Sequence, residues 1–156
     1  MLPAVREAAV AVDFFGETRK AIVEQRVNQG FFRRAVLSGY SYKCCISDVS
    51  DRRLLVASHI VPWSEDSSIR LHPGNGLCLS AIHDRAFDNH LFSLTDDYQI
   101  VLSKQLKSTK DKFLKDVFFS LEGIAISLPD KFVPERDFVR RHRRHMDVAN
   151  AAESAQ

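Results

Sequence analysis

The chain has 156 residues, 45% of them hydrophobic and 27% charged, with a formal charge of +2. That is enough for one domain with a real core and too little for two comfortable ones. Its three cysteines, Cys44, Cys45 and Cys78, form no C-x-x-C pair, which excludes a zinc knuckle and a disulfide framework and leaves reduced, buried thiols as the expectation. No run approaches the ~18 apolar residues of a membrane span. Residues 1–12 are apolar but contain Arg6 and Glu7, so no signal peptide is expected and the protein is expected to be cytoplasmic.

Residues 1–16, rich in Ala and Val and ending in Phe14-Phe15-Gly16, read as a weakly ordered N-terminal arm. A helix is expected from Glu17 to about Asn28, interrupted at Gly30. A second helix carries Phe31, Phe32, Val36 and Leu37 and stops at Gly39, a residue suited to a left-handed C-terminal cap. Arg19, Lys20, Arg26, Arg33 and Arg34 lie between the apolar positions as a solvated face that can also touch phosphates. After a turn-rich stretch, Leu54-Leu55-Val56-Ala57 lacks alternation, as a strand covered on both faces does, and leads to His59. A polar loop follows, then Pro73-Gly74-Asn75-Gly76 as turn chemistry and Leu77-Cys78-Leu79 as a short strand. Ser80 is placed to N-cap a helix from Ala81 to about Phe87.

Beyond it, Leu91–Leu94 and Tyr98–Leu102 read as a hairpin turning at Thr95-Asp96-Asp97. Lys112–Leu121 has helical periodicity, and Ile124-Ala125-Ile126 resembles one more strand. Pro134 occupies a good first helical position, ahead of a basic helix over Glu135–Met146 that carries Arg140, Arg141, Arg143 and Arg144. Residues 147–156 read as a frayed tail. The fold class is therefore α+β, with N-terminal helices, a β-hairpin and a basic C-terminal helix around a central strand, loop, strand and helix.

That central stretch concentrates chemistry. Four of the six histidines, His59, His72, His83 and His90, fall within it or just beyond. Phosphodiester hydrolysis needs an activated water, a Lewis acid on the phosphate and a stabilised leaving oxygen. One divalent ion can supply the last two, and a histidine held off the ion the first. His59, at a strand end with no competing acid beside it, suits the base. On the helix, Asp84 and Asp88 are four apart and share a face, with His83 about 100° round at its edge. This mixed set suits Mg, Mn, Ni or Zn without choosing between them. The bland alternative uses Asp84 for the helix dipole and Asp88 for a surface pair with Arg85 or Arg53. Asn75 is a common turn residue whose amide can also tie the loop to the strand and keep His59 aimed.

The blocks S-H-I-V-P-W, N-G-L-C-L and H-D-R-A-F-D, with R-V-N-Q-G-F-F-R-R-A-V-L and Cys45-Ile46-Ser47 before them, resemble the HNH endonuclease family over roughly residues 17–103. The resemblance implies a ββα-metal core at about 43–90 within one nuclease domain spanning 17–146. It also implies DNA cleavage dependent on one divalent metal ion. By the same resemblance His59 is the general base, Asn75 the structural middle residue and His83 the helix-borne metal ligand. Many members carry Asp or His just before the base, where this chain has Ser58, so Asp84 or Asp88 is expected to complete the coordination. Asp48 stands where similar chains have Gly. DNA is the expected partner, contacted through the phosphates by Arg33, Arg34, Arg140, Arg141, Arg143 and Arg144. No base-reading element is legible, which points to low specificity or a targeting partner protein, as in restriction or phage defence, and two-strand cutting would favour a homodimer. The main rival is a non-catalytic nucleic-acid-binding module on the same scaffold. A small-phosphoester hydrolase is disfavoured, because no phosphate loop is legible.

Overall fold

The computed structural model describes residues 2–155, with side chains from Thr18 onward. The side chains of the arm read over residues 1–16 therefore lie outside the described residues, while its backbone joins helix α1, Leu2–Gly39. The break expected at Gly30 is absent. A helical glycine costs only about 1 kcal/mol, and burial of Phe32, Val36 and Leu37 against the rest of the chain holds the helix through it. Gly39 has a different role from the one expected. The left-handed residues after α1 are Ser41 (φ 54°) and Tyr42 (φ 55°). At Gly39 a Cβ would meet the Lys131 carbonyl oxygen at 2.8 Å, so the glycine permits a close backbone approach.

Strands β1 (Leu55–His59) and β2 (Gly76–Ser80) pair antiparallel, from Leu55 opposite Ser80 to His59 opposite Gly76. Helix α2 (Ala81–Asp88) follows β2 directly and packs on both strands, completing a ββα unit. All five residues of β2 are buried, because α1 covers the strand. At Gly76 a Cβ would lie 2.5 Å from Val36 Cγ2 and 2.9 Å from Phe32 Cζ, and only glycine leaves α1 room there. Cys44, Cys45 and Cys78 are free thiols in this core, as their spacing suggested.

Strands β3 (Phe92–Leu94) and β4 (Ile100–Leu102) form the second hairpin. Ile124–Ile126 adds only a bridge between Gln99 and Ala125, so the extra strand expected there is not formed. A short helix α3 (Lys104–Lys107), which the sequence did not announce, precedes α4 (Lys112–Phe118). Phe118 from α4 packs beside Phe92 from β3. The last helix, α5, spans Arg136–Ser154 with Glu135 as N-cap, so Pro134 lies just outside it and the backbone stays helical beyond Met146. Val139, His142 and Met146, at three- and four-residue spacing, bury one side of α5 against the β3 hairpin.

Candidate functional site

The site starts where β1 ends. The backbone continues past His59 because Ile60 N–H donates to the Asn75 carbonyl at 2.9 Å. The Asn75 side chain then clamps the next residue both ways. Its Oδ1 accepts from Val61 N–H at 2.8 Å, and its Nδ2 donates to the Val61 carbonyl at 2.9 Å. Asn75 is fully buried, and its amide joins the turn before β2 to the residues that follow β1.

His59 is half-buried, its ring stacked on Phe32 from α1 at 4.2 Å between centroids and 4° between planes. Its Nε2 lies 2.9 Å from the Arg70 carbonyl oxygen. A carbonyl only accepts, so Nε2 carries the proton and, in the neutral ring, Nδ1 is left as the lone-pair nitrogen. Burial lowers the pKa of His59, while the Arg70 carbonyl and then the charges of Asp84 and Asp88 push it back up. The balance keeps the imidazole neutral near pH 7, the form a proton acceptor needs. The ring borders a cleft of about 140 Å³ with Phe32, Trp63, Arg70 and Leu71 in its wall.

Helix α2 carries two carboxylates whose charges reach this ring. Asp84 is half-buried and Asp88 exposed, and both charges act on His59. His83, one residue earlier, is buried. Its Nδ1 lies 2.5 Å from Ser80 Oγ, and its ring meets Phe118 edge-on at 5.5 Å. Ser80 is the N-cap residue of α2 but its hydroxyl serves His83 instead of the helix backbone. Burial lowers the pKa of His83, and its Nε2 has no hydrogen-bond partner among the described residues. Among those residues no three His, Cys, Asp or Glu side chains are gathered as a metal-binding group. The pairing of Asp88 with Arg53 is not formed, since Arg53 pairs with Asp51 at 2.7 Å.

A strand-end histidine, a buried turn asparagine and a histidine on the following helix thus occur in one ββα unit. Residues 44–95, which hold all three, match the family model described as HNH endonuclease. That segment, a third of the chain, is similar to the HNH endonuclease family. A solved structure of a "Modification dependent TagI restriction endonuclease" is similar in fold to this chain, with a TM-score of 0.52 at 17% identity. The superposition covers 72% of this chain and 36% of that one, so the chain spans about a third of its neighbour. No curated protein matches the chain.

The HNH segment is flanked by the arginines expected to meet DNA, and most of these are engaged within the fold. Arg140 and Arg143 both bind the Asp96 carboxylate, at 3.0 and 2.8 Å. Together they hold that carboxyl down at about 2. Arg141 bridges Glu65 at 3.6 Å and Asp66 at 3.3 Å. Arg33 donates to the Leu55 carbonyl at 2.8 Å. Arg34 and Arg144 make no ion pair among the described residues. Three contributors escaped sequence reading: Phe32 as the ring under His59, the Arg70 carbonyl that orients it, and Ser80 as the partner of His83. Only Ser80 had a local signal, its three-residue spacing from His83 at a helix start.

Proposed function

We propose that this HNH protein is an endonuclease that hydrolyses DNA phosphodiester bonds with the help of one divalent metal ion. The observation that carries the reading is the His59 imidazole. Its Nε2–H is fixed on the Arg70 carbonyl and its Nδ1 is left to accept a proton, in a ring that also feels two helix-borne carboxylates. The donor chemistry of the site fits a hard divalent cation, because two carboxylates completed by water and substrate phosphate are the usual arrangement for magnesium. Asp84 and Asp88 would hold the ion, with His83 through Nε2 when its Nδ1–H donates to Ser80. Mg, Mn, Ni and Zn all suit this set. When bound, the ion supplies Lewis acidity to the phosphate and stabilises the leaving oxygen.

The chain's own residues do the rest. His59 Nδ1 takes the proton of the attacking water as the new P–O bond forms and the bond to the leaving oxygen breaks. The Arg70 carbonyl stabilises the imidazolium so formed by accepting its Nε2–H. Phe32 fixes the ring plane, and Asn75 fixes the backbone from which the ring projects. Arg34 and Arg144 supply the phosphate contacts most directly. Arg33, Arg140, Arg141 and Arg143 contribute field while bracing the fold. A role in restriction or phage defence is consistent with the structural neighbour being a restriction endonuclease.

Plasmid incubated with the protein and magnesium or manganese, with and without chelator, tests this. Cleavage should require the ion and fall by about 10²–10⁴-fold in His59→Ala, the usual contribution of a general base. Undiminished cleavage by His59→Ala would overturn the assignment. DNA binding without cleavage in any divalent ion would favour the non-catalytic module.

A further inference from the structure

The cleft beside His59 has a wall that the hydrolytic chemistry does not use. Gln25, Asn28 and Gln29 line it from α1, with Trp63 and Arg70 opposite. These amides sit three, four and seven residues ahead of Phe32, on the helix stripe that further along carries the buried residues Phe32 and Val36. A stripe continuing the core would be apolar here. Instead it changes to carboxamides where it reaches the cleft, and none of the three side chains makes a hydrogen bond to another described residue. Trp63 is 42% exposed, with the Arg70 guanidinium 5.2 Å from its ring centroid. The volume of about 140 Å³ is well under the ~300–1,000 Å³ typical of small-molecule pockets. One flat ring fits it better than a whole cofactor. Neutral amides that both donate and accept suit the edge of a nucleobase, and the Arg70 guanidinium in the wall lies over the Trp63 ring.

We propose that this cleft binds a nucleobase next to the scissile phosphate, stacked on Trp63 and read at its edge by Gln25, Asn28 and Gln29. The proposal rests on the nuclease reading for its location. It makes the enzyme responsive to the base beside the cut and requires that base to leave the duplex stack. Flipping is least costly in single-stranded or mismatched DNA, so such substrates bind best.

Trp63 is the only tryptophan, so its fluorescence reports the pocket without any cleavage. Short single-stranded homopolymers, and an abasic strand of the same length, are titrated against the full chain in the absence of metal. Base-containing strands should quench Trp63 more strongly and bind about tenfold tighter than the abasic strand, the scale of one base–aromatic stack. The amide variants Asn28→Ala and Gln29→Ala should change the ranking among bases. With metal, the same variants should change the base preferred beside the cut. Equal quenching by abasic and base-containing strands, or a ranking unmoved by both variants, overturns the pocket. Base-ranked quenching with no cleavage in any metal would retain the pocket and remove the nuclease reading. Metal-dependent cleavage with abasic-like quenching would do the reverse.

Discussion

Replacing Asn75 by alanine removes the clamp that follows His59. Val61 is 1% exposed, and both its N–H and its carbonyl are satisfied by the Asn75 amide, at 2.8 and 2.9 Å. A buried polar group left unpaired costs about 1–3 kcal/mol, so Asn75→Ala should lose about 2–6 kcal/mol. Against a total of roughly 5–15 kcal/mol this is a large fraction. Urea denaturation should show the midpoint falling with an unchanged slope. Asn75→Asp supplies a finer control. Its protonated carboxyl can still donate to the Val61 carbonyl and accept from the Val61 N–H, while its ionised form cannot donate. The folded pKa of that aspartate would be raised, so the variant gains stability as pH falls and loses it as pH rises through that value. A loss under about 1 kcal/mol for Asn75→Ala, or an Asn75→Asp variant indifferent to pH, would refute the clamp.

Four further expectations follow from the geometry. Because burial under Phe32 lowers the pKa of His59, the acid limb of the pH–rate profile should lie below 6.5, with activity lost as pH falls through it. Phe32→Leu should move the His59 midpoint upward in an NMR titration, and no movement would disconnect the stacked ring from the shift. His142, stacked on Phe87 at 3.7 Å and bonded to its carbonyl, is lowered to about 3 chiefly by burial. The folded state therefore resists protonating it. The stability involved is complete above 6.5 and is lost as pH falls from there toward about 3, by up to about 1.4 kcal/mol per pH unit. His142→Gln should flatten that acid slope in urea midpoints measured across the range. Alanine at Arg34 and Arg144 together should reduce the salt dependence of DNA binding by about one to two in log–log slope. Alanine at Arg140 and Arg143, already spent on Asp96, should mainly loosen α5 from the β3 hairpin, and a larger change in salt slope for the second pair would reverse this assignment. Asp88→Asn should weaken manganese binding in isothermal titration while the thermal midpoint stays near the parent's. An unchanged binding isotherm would remove Asp88 from the ion's ligands.

The ββα unit was legible because its determinants are local. His59, Asn75 and His83 lie within one short stretch, and turn chemistry, a strand-end histidine and a helix-start serine announce its corners. What surrounds His59 was not legible. Phe32 lies 27 positions before His59, and nothing in its neighbourhood distinguishes a ring that will stack on an imidazole from an ordinary core phenylalanine. The ion pairs of the C-terminal arginines were hidden for the same reason. Five lie close together along Arg136–Arg144 and read as a phosphate-binding face. Their partners Asp96, Glu65 and Asp66 are 44 to 76 positions distant, beyond the reach of any local pattern. Gly30 was overvalued as a helix stop, since a modest propensity cost is outweighed by the burial of Phe32, Val36 and Leu37 just beyond it.

The loop from Pro62 to His72 supplies the Arg70 oxygen that sets the tautomer of His59, yet it is strapped at Glu65 and Asp66 to Arg141 of the last helix. The ring itself leans on the first helix. Helices α1 and α5 therefore both support the surroundings of the His59 ring without contributing a motif residue. Excised alone, segment 44–95 would keep every signature position and lose the supports that aim the imidazole. Changes at either terminus should consequently be felt as altered turnover even where the signature is intact.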